Sequence, residues 1–152
     1  MVTIVPADLT DARVIAFLEE HLRDMEPTAP KESRHALDLT GLQAPGVRVW
    51  TARDEDAVVG TVALAAFEDG HEELKSMRSA PARRGQGIGR ALLEFAIEDA
   101  RSRGVHSLSL ETGSDDFFVA ARSMYLRAGF RECGPFGKYR DDPNSVYMTR
   151  EL

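Results

Sequence analysis

A glycine-rich basic segment, residues 83–90, limits what this chain can fold into more than any other part of the sequence. It reads Arg-Arg-Gly-Gln-Gly-Ile-Gly-Arg, with glycines at Gly85, Gly87 and Gly89. A strand-like segment ends before it at Pro81, and an amphipathic helix opens from its last residues. Strand, tight loop and helix in this order bring unpaired backbone N–H groups and the positive end of a helix dipole to one place. The segment therefore predicts a site for a phosphate-bearing ligand.

Arginines surround this loop although the chain is acidic overall, with 19 Lys+Arg against 25 Asp+Glu. Arg78, Arg83, Arg84 and Arg90 all lie within 13 residues, a concentration of positive charge that favours a polyanionic cofactor. Two common nucleotide-binding loops do not fit. A Walker loop ends in Gly-Lys-Ser/Thr, and this loop has no lysine; a Rossmann fingerprint has another glycine spacing and lies in the first βα turn.

Length and composition predict one globular domain that covers residues 1–152. The net charge of −6 argues against nucleic acid or an anionic membrane as the main partner. No apolar run approaches membrane-spanning length, and the N-terminus lacks a signal-peptide pattern, so we expect a cytoplasmic protein. Cys133 is the only cysteine and the four histidines lack metal-ligand spacing, so we expect neither a disulfide nor a metal.

Hydrophobic periodicity and turn residues predict an α/β domain with a mixed, mostly antiparallel sheet and helices on both faces. The strand–helix–strand passage over residues 72–110 implies a parallel pair joined by a right-handed crossover. The two ends of the chain favour antiparallel pairing. The predicted strands are residues 2–5, 47–51, 57–67, 72–80, 105–110, 130–136 and 145–149, and the predicted helices are 10–24 (capped by Thr10), 32–39, 88–103 and 115–127.

Two motifs resemble the GNAT N-acetyltransferase superfamily. Arg84-x-x-Gly87-x-Gly89 is similar to the family's loop for the pyrophosphate of acetyl-CoA, and residues 121–130 are similar to its A-x-x-x-Y-x-x-x-G-F element. They occur in the family's order, about 36 residues apart, and the order of elements agrees along nearly the whole chain. The resemblance implies the GNAT acyl-CoA N-acyltransferase fold, in which two central parallel strands splay apart around the cofactor.

The resemblance also implies acetyl-CoA as co-substrate and assigns residues to it. The family binds the pantetheine arm through the backbone of the strand before the loop, which here carries Met77, Arg78 and Ser79. One N–H of that strand would stabilise the tetrahedral intermediate at the thioester oxygen. Where many relatives have an asparagine this chain has Phe118. Either Ser114 or the backbone replaces that contact, or one contact to the arm is missing. The pyrophosphate is expected on the amides of Arg84, Gly85, Gln86, Gly87, Ile88, Gly89 and Arg90.

Three residues are candidates for the chemistry. Tyr125 matches the tyrosine that protonates the departing CoA thiolate in the family. An ammonium acceptor must lose a proton before it attacks, and a positioned carboxylate can take that proton. Glu73, before the loop, and Glu111, at the end of the strand after the helix, are the two candidate bases, and Glu73 is favoured. The expected reaction is direct transfer of acetyl to a primary amine in a ternary complex.

The acceptor is the least determined part of the prediction. Residues 26–39, with His35, and residues 134–145 are expected to border its site, and Lys138 and Arg140 could bind an acceptor carboxylate, as in an amino acid, or lie in a solvated loop tip. A small-molecule amine is favoured because nothing in the sequence indicates an extended peptide groove. An acyl-CoA sensor without turnover and a protein or peptide N-acetyltransferase stay open as alternatives. A homodimer is compatible with the sequence.

Overall fold

The computed structural model describes residues 1–152, which build one seven-stranded sheet with four α-helices around it. The helices are α1 (Ala12–Met25), α2 (Leu39–Leu42), α3 (Ile88–Ser102) and α4 (Val119–Arg127). The strands are β1 (Val2–Pro6), β2 (Val47–Asp54), β3 (Ala57–Glu68), β4 (His71–Ser79), β5 (Ser107–Gly113), β6 (Arg131–Cys133) and β7 (Ser145–Glu151). No helix is long and apolar enough to cross a membrane.

The sheet has the order β1-β2-β3-β4-β5-β7-β6, and only its central pair is parallel. This confirms the predicted mixed sheet. The parallel pairing of β4 with β5 starts at His71 and Ser107 and stops at Leu74 and Leu110. Both strands continue beyond that point without pairing to each other. A cleft therefore opens at the carboxyl ends of the two strands, in the middle of the sheet.

A β-bulge in β4 shapes one side of this cleft. Lys75 pairs with Ala63 of β3, but the next registered pair is Arg78 with Thr61, so β4 carries one extra residue here. Ser76 at the bulge has a φ of 52°, in the left-handed region, and the Thr61 hydroxyl donates to its carbonyl oxygen at 2.8 Å. The extra residue shifts the alternation of the strand. Met77 then packs into the main core, whereas the Arg78 side chain lies on the α1 side.

Helices cover both faces of the sheet, as the apolar pattern predicted. The α3 face holds the larger core, in which Leu92, Leu93 and Ala96 pack with buried residues of β3, β4 and β5. On the opposite face Val14 and Leu18 of α1 form a smaller cluster with α2 and β3. Burial of these two helices fixes the loop before α3 and the end of α1 against β4, at either side of the cleft.

One predicted helix and several predicted boundaries differ from the structure. Residues 32–39 do not form a helix: a 3₁₀ turn at Lys31–Ser33 precedes the single-turn helix α2, because so short a segment cannot offset the cost of helix nucleation. Asp11, not Thr10, caps α1, since the Thr10 hydroxyl donates to Asp8. β5 lies at residues 107–113 rather than 105–110. β6 is only three residues long and ends before the Gly134-Pro135 pair.

Candidate active site

A pocket lies on the α1 side of the sheet at the point where β4 and β5 separate. Its walls come from the end of α1, the segment before α2, the middle of β4, the end of β5, the inner face of α4 and the loop before β7. Polar and apolar side chains share the lining. The titratable residues that line it are His21, His35, Glu73, Lys75, Glu111, Tyr125 and Tyr139. The three predicted catalytic residues are thus placed around one cavity, although they come from β4, β5 and α4.

Glu111 lies on β5, one residue beyond the last parallel pair with β4. Burial raises the pKa of its carboxyl to about 7, with the charge of Glu73 adding to the rise; the Ser145 hydroxyl and the Lys75 ammonium oppose it. The Ser145 hydroxyl donates to the carboxylate at 3.3 Å. A carboxyl group with a pKa near neutral can hold or release a proton under the conditions of the reaction. This is the property that a general base requires.

Glu73 lies on β4, and its carboxylate is already engaged by two neighbours. The Lys75 ammonium donates to it at 3.1 Å, and the Tyr139 hydroxyl donates to the same carboxylate oxygen. Lys75 also donates to the Tyr139 oxygen at 3.0 Å and lies 5.7 Å from the centre of that ring. The Glu73 and Lys75 side chains are only 13% and 11% exposed. Glu73, Lys75 and Tyr139 therefore form a fixed polar cluster, called below the Glu73 cluster.

Tyr125 presents its hydroxyl to the same pocket from α4. The residue is buried, its ring packs edge-on against Phe130 with centroids 5.9 Å apart, and no protein group accepts a hydrogen bond from its hydroxyl. Burial, and secondarily the charge of Glu111, raises the pKa of the Tyr125 phenol well above its usual value. The phenol therefore keeps its proton at neutral pH and has it available for a ligand atom in the cleft.

The strand residues assigned to the pantetheine arm do not all face the cleft. The Ala80 amide donates to Val59 of β3, and the Arg78 carbonyl lies close to Gly60 of β3. Backbone groups alternate in direction along a strand, so those of Met77 and Ser79 point towards the gap beside β5. Arg78 is the exception to the prediction. Its backbone pairs with β3, and its side chain contacts α1.

The Arg78 guanidinium is buried on the α1 side of the sheet. It lies 2.9 Å from Asp24 and 3.1 Å from Glu20, and it stacks over the Phe17 ring at 5.1 Å from the centroid. Burial, and after it the Arg78 charge, lowers the pKa of His21 to about 4, so that imidazole is neutral at pH 7. Arg78 thus fixes the end of α1 against β4 and is not part of the basic loop that the sequence suggested.

The backbone of the glycine-rich loop has the form predicted for an anion site. Gly85 and Gly87 have φ values of 79° and 82°, and no atom lies within 4 Å of the position of a Cβ on either residue. The amides of residues 84–87 donate no hydrogen bond within the protein, and no side chain caps α3 at Gly87. Ile88, Gly89 and Arg90 follow as the first turn of α3, whose amides lack helical partners. The loop thus offers a row of free N–H groups.

The loop arginines contribute less free charge than the sequence suggested. Arg83 binds Asp54 at 2.9 Å and donates to the Gln86 side chain at 2.8 Å. Arg90 binds Glu94 at 2.9 Å, in an exposed ion pair along α3. Arg84 has no carboxylate partner, and its guanidinium lies 5.7 Å from the centre of the Phe117 ring.

Ser114 is placed outside the cleft. Its hydroxyl donates to the Pro143 carbonyl at 2.7 Å and its amide to the Asn144 carbonyl at 3.0 Å, so it ties the end of β5 to the loop before β7. Phe118 instead lines the pocket, with its ring so close to Gly113 that a Cβ there would lie 2.2 Å from a ring carbon. The donor groups of Ser114 are therefore engaged within the protein, and the residue does not line the pocket.

The loop before β7 reaches the pocket through a residue other than those predicted. Lys138 and Arg140 are exposed and do not line the pocket. Tyr139, between them, turns inward to the Glu73 cluster, and His35 packs edge-on against its ring with centroids 5.0 Å apart. Of the two possibilities left open for Lys138 and Arg140, this arrangement favours the solvated loop tip, because both side chains are exposed outside the pocket lining.

Three further pocket residues were missed at the sequence level. Lys75 could have been predicted, because strand alternation places it on the same face of the sheet as Glu73, which precedes it by two residues. Ser76 had none, because its buried hydroxyl, which has no partner, follows from a bulge set by β3. His21 reaches the pocket only through the packing of α1 against β4.

The structure contains no group of three or more His, Cys, Asp or Glu side chains that could hold a metal ion.

Comparison with known proteins gives consistent matches along the chain. Residues 13–130 match the sequence profile of the acetyltransferase (GNAT) family. The uncharacterized N-acetyltransferase YsnE of Bacillus subtilis (strain 168) is 42% identical over 145 residues, which cover 95% of this chain and 96% of that protein. A protein named IAA acetyltransferase from Azospirillum brasilense is 42% identical over 146 residues, 95% of this chain and 93% of its own.

Solved structures match over the whole chain as well. A crystal structure from Klebsiella pneumoniae, assigned as an acyl-CoA N-acyltransferase, superposes with a TM-score of 0.81 at 33% identity. The match covers 100% of this chain and 98% of the Klebsiella chain.

Proposed function

The chain belongs to the acetyltransferase (GNAT) family and is an acetyl-CoA-dependent acyltransferase, and we propose that it acetylates the primary amine of a small molecule by direct attack in a ternary complex. One observation carries this proposal. Glu111, with a pKa near neutral, and Tyr125, which keeps its proton, line one pocket where β4 and β5 separate. A proton acceptor and a proton donor thus flank the place where the thioester would lie.

The residues around the cleft fit acetyl-CoA as the second substrate. The free amides of residues 84–87 and the first turn of α3 suit the pyrophosphate, and the empty space around Gly85 and Gly87 lets the phosphates approach the backbone. The backbone groups of Met77 and Ser79, which point into the gap beside β5, suit the pantetheine arm. Ser114 and Arg78 are not part of this assignment, because the Ser114 hydroxyl donates to Pro143 and the Arg78 side chain binds α1.

In the proposed reaction Glu111 takes a proton from the acceptor ammonium, and the free amine attacks the thioester carbonyl carbon. A carbon–nitrogen bond forms, the carbon–sulfur bond breaks, and Tyr125 donates a proton to the departing sulfur. The second proton that the nitrogen loses as it becomes an amide restores the Tyr125 phenol, and Glu111 returns its proton to solvent. We assign the base to Glu111 rather than Glu73 because the Glu73 carboxylate already receives hydrogen bonds from Lys75 and Tyr139. Glu73 then acts by fixing Lys75 and Tyr139 beside the acceptor.

The roof of the pocket supports a small acceptor. The segment before α2 and the loop before β7 touch each other across it: Asn144 donates to the Ser33 hydroxyl at 3.4 Å, and His35 packs on Tyr139. These contacts hold the two segments together over the pocket, which favours a small acceptor over an extended peptide. We also propose that residues 1–152 act as a single domain, which the one continuous sheet supports.

The test is thiol release from acetyl-CoA in the presence of a panel of primary amines. We expect release that depends on the amine, and a kcat/KM that rises with pH through about 7 as Glu111 ionises. Glu111→Gln should lower kcat/KM by roughly 10²–10⁴-fold, the usual contribution of a general base, with acetyl-CoA affinity unchanged. Glu132→Gln, an exposed carboxylate on β6, is the matched control. Acetyl-CoA binding without thiol release from any amine would instead indicate a sensor.

A further inference from the structure

We infer that the Glu73 cluster together with Glu111 forms a charge filter, which admits primary amines with an uncharged neighbouring group and rejects those with a carboxylate beside the amine. Simple alkyl and aralkyl amines belong to the admitted class, and α-amino acids belong to the rejected class. The inference rests on the proposed function only in that the acceptor amine enters the pocket described above.

Negative charge exceeds positive charge in the pocket. Glu73 and Glu111 face it from β4 and β5, and Lys75 is the one lysine or arginine that lines it. His21, which closes the α1 side, is neutral at pH 7. Asp142, in the loop before β7, adds a further negative charge close to Glu111. An ionised Glu111 therefore leaves the pocket with an unbalanced negative charge, which the ammonium group of an amine can compensate.

Lys75 is not free to bind an acceptor carboxylate. Its ammonium is held by the Glu73 carboxylate at 3.1 Å and the Tyr139 oxygen at 3.0 Å, and its side chain is almost fully enclosed. Any movement of Lys75 towards a ligand carboxylate would leave the enclosed Glu73 charge without its partner, which is costly.

The other nearby cations are also committed or distant. Arg78 does not line the pocket and is held by Glu20 and Asp24 of α1, and Lys138 and Arg140 are exposed outside the lining. A carboxylate on the carbon next to the amine would therefore lie within a few ångströms of Glu111 or Glu73 without a cation of its own. Like charges at such distances in a partly enclosed site correspond to a penalty of roughly a hundredfold in affinity.

The experiment compares matched pairs, each an α-amino acid and the amine formed by removing its carboxylate, over several side chains. The ammonium group of such an amine is no more acidic than that of the amino acid, so a preference for the amine cannot result from a larger fraction of free base. We expect kcat/KM for the amine to exceed that of the amino acid by about a hundredfold. Equal values, or a preference for the amino acid, would overturn the inference.

Glu73→Gln assigns the effect to the cluster. Loss of the Glu73 charge frees the Lys75 ammonium for a ligand carboxylate, so the preference for the amine should fall at least about tenfold, whatever happens to the absolute rates. Glu132→Gln should retain the wild-type preference. If Glu73→Gln also retained it, the cluster would not be the filter.

A binding measurement keeps the test independent of catalysis. Calorimetric titration of the CoA-bound protein with the same pairs should detect the amine and show much weaker binding of the amino acid. Equal binding of both, or binding of neither, would overturn the inference. If the amines bind preferentially but no thiol is released from acetyl-CoA, the proposed function fails while the charge filter stands.

Discussion

Replacing Glu111 with glutamine should remove a specific part of the pH dependence of stability. Burial raises the pKa of this carboxyl from 4.5 to about 7 in the folded protein. The folded state therefore keeps a proton that the unfolded chain releases between those values. The stabilisation is fully present below about pH 4.5 and is lost as pH rises to about 7. Glutamine, which has nearly the same shape, does not ionise in either state.

The size of the effect follows from the gap between the two pKa values. Each pH unit of that gap corresponds to about 1.4 kcal/mol, which gives about 3 kcal/mol in all. Between about pH 5 and pH 8 the free energy of unfolding of the wild type should fall by about 2–3 kcal/mol relative to Glu111→Gln. Urea unfolding of both proteins at the two pH values measures this difference, because other titrating groups contribute equally to both.

Glu132→Gln provides the reference, since its carboxylate is exposed on the edge strand β6. Its substitution should change the free energy of unfolding by the same small amount at both pH values. If Glu111→Gln behaved in the same way, the Glu111 carboxyl would not be destabilised by burial. Glu111 would then not be a base whose pKa is tuned to neutral pH.

Substitutions at three further residues test other parts of the structure. Tyr125→Phe should lower kcat by roughly 10²–10⁴-fold with little change in acetyl-CoA affinity by calorimetry; unaltered turnover would remove this phenol from the mechanism. Gly87→Glu should abolish binding of acetyl-CoA, measured by calorimetry, because it places a carboxylate where the phosphates belong. The control Gly87→Ala should lower stability only by the strain of a side chain at a φ of 82°. Binding of acetyl-CoA to a folded Gly87→Glu protein would contradict the loop assignment. Arg103→Met should lower the free energy of unfolding by about 3 kcal/mol, because it leaves the buried Glu72 carboxylate, which Arg103 contacts at 2.7 and 2.8 Å, without a cation. A change below about 1 kcal/mol in urea unfolding would refute this role.

The fold was predictable where the signal is local. The apolar faces of α1 and α3, the turn residues between the strands and the strand–helix–strand crossover were all readable from nearby residues. The segment at residues 32–39 failed because a weak apolar pattern cannot show whether a helix has enough turns to form.

The candidate site was predictable in its backbone and less so in its side chains. Gly85 and Gly87 indicate the loop in the sequence, because only glycine readily adopts the positive φ values found there. The bulge at Ser76 depends on register with β3, and the inward turn of Tyr139 depends on contacts 66 residues apart in sequence with Glu73. The direction of Arg78 likewise follows from α1. Such features come from tertiary packing, which no local pattern encodes.

The most direct test of the central claim is the initial rate of thiol release, measured over a matrix of acetyl-CoA and amine concentrations. Direct attack in a ternary complex predicts no release without amine and double-reciprocal lines that intersect. Release in the absence of amine, or parallel lines that indicate an acyl-enzyme intermediate, would contradict the assignment of Glu111 and Tyr125 as the base and acid of a single transfer step.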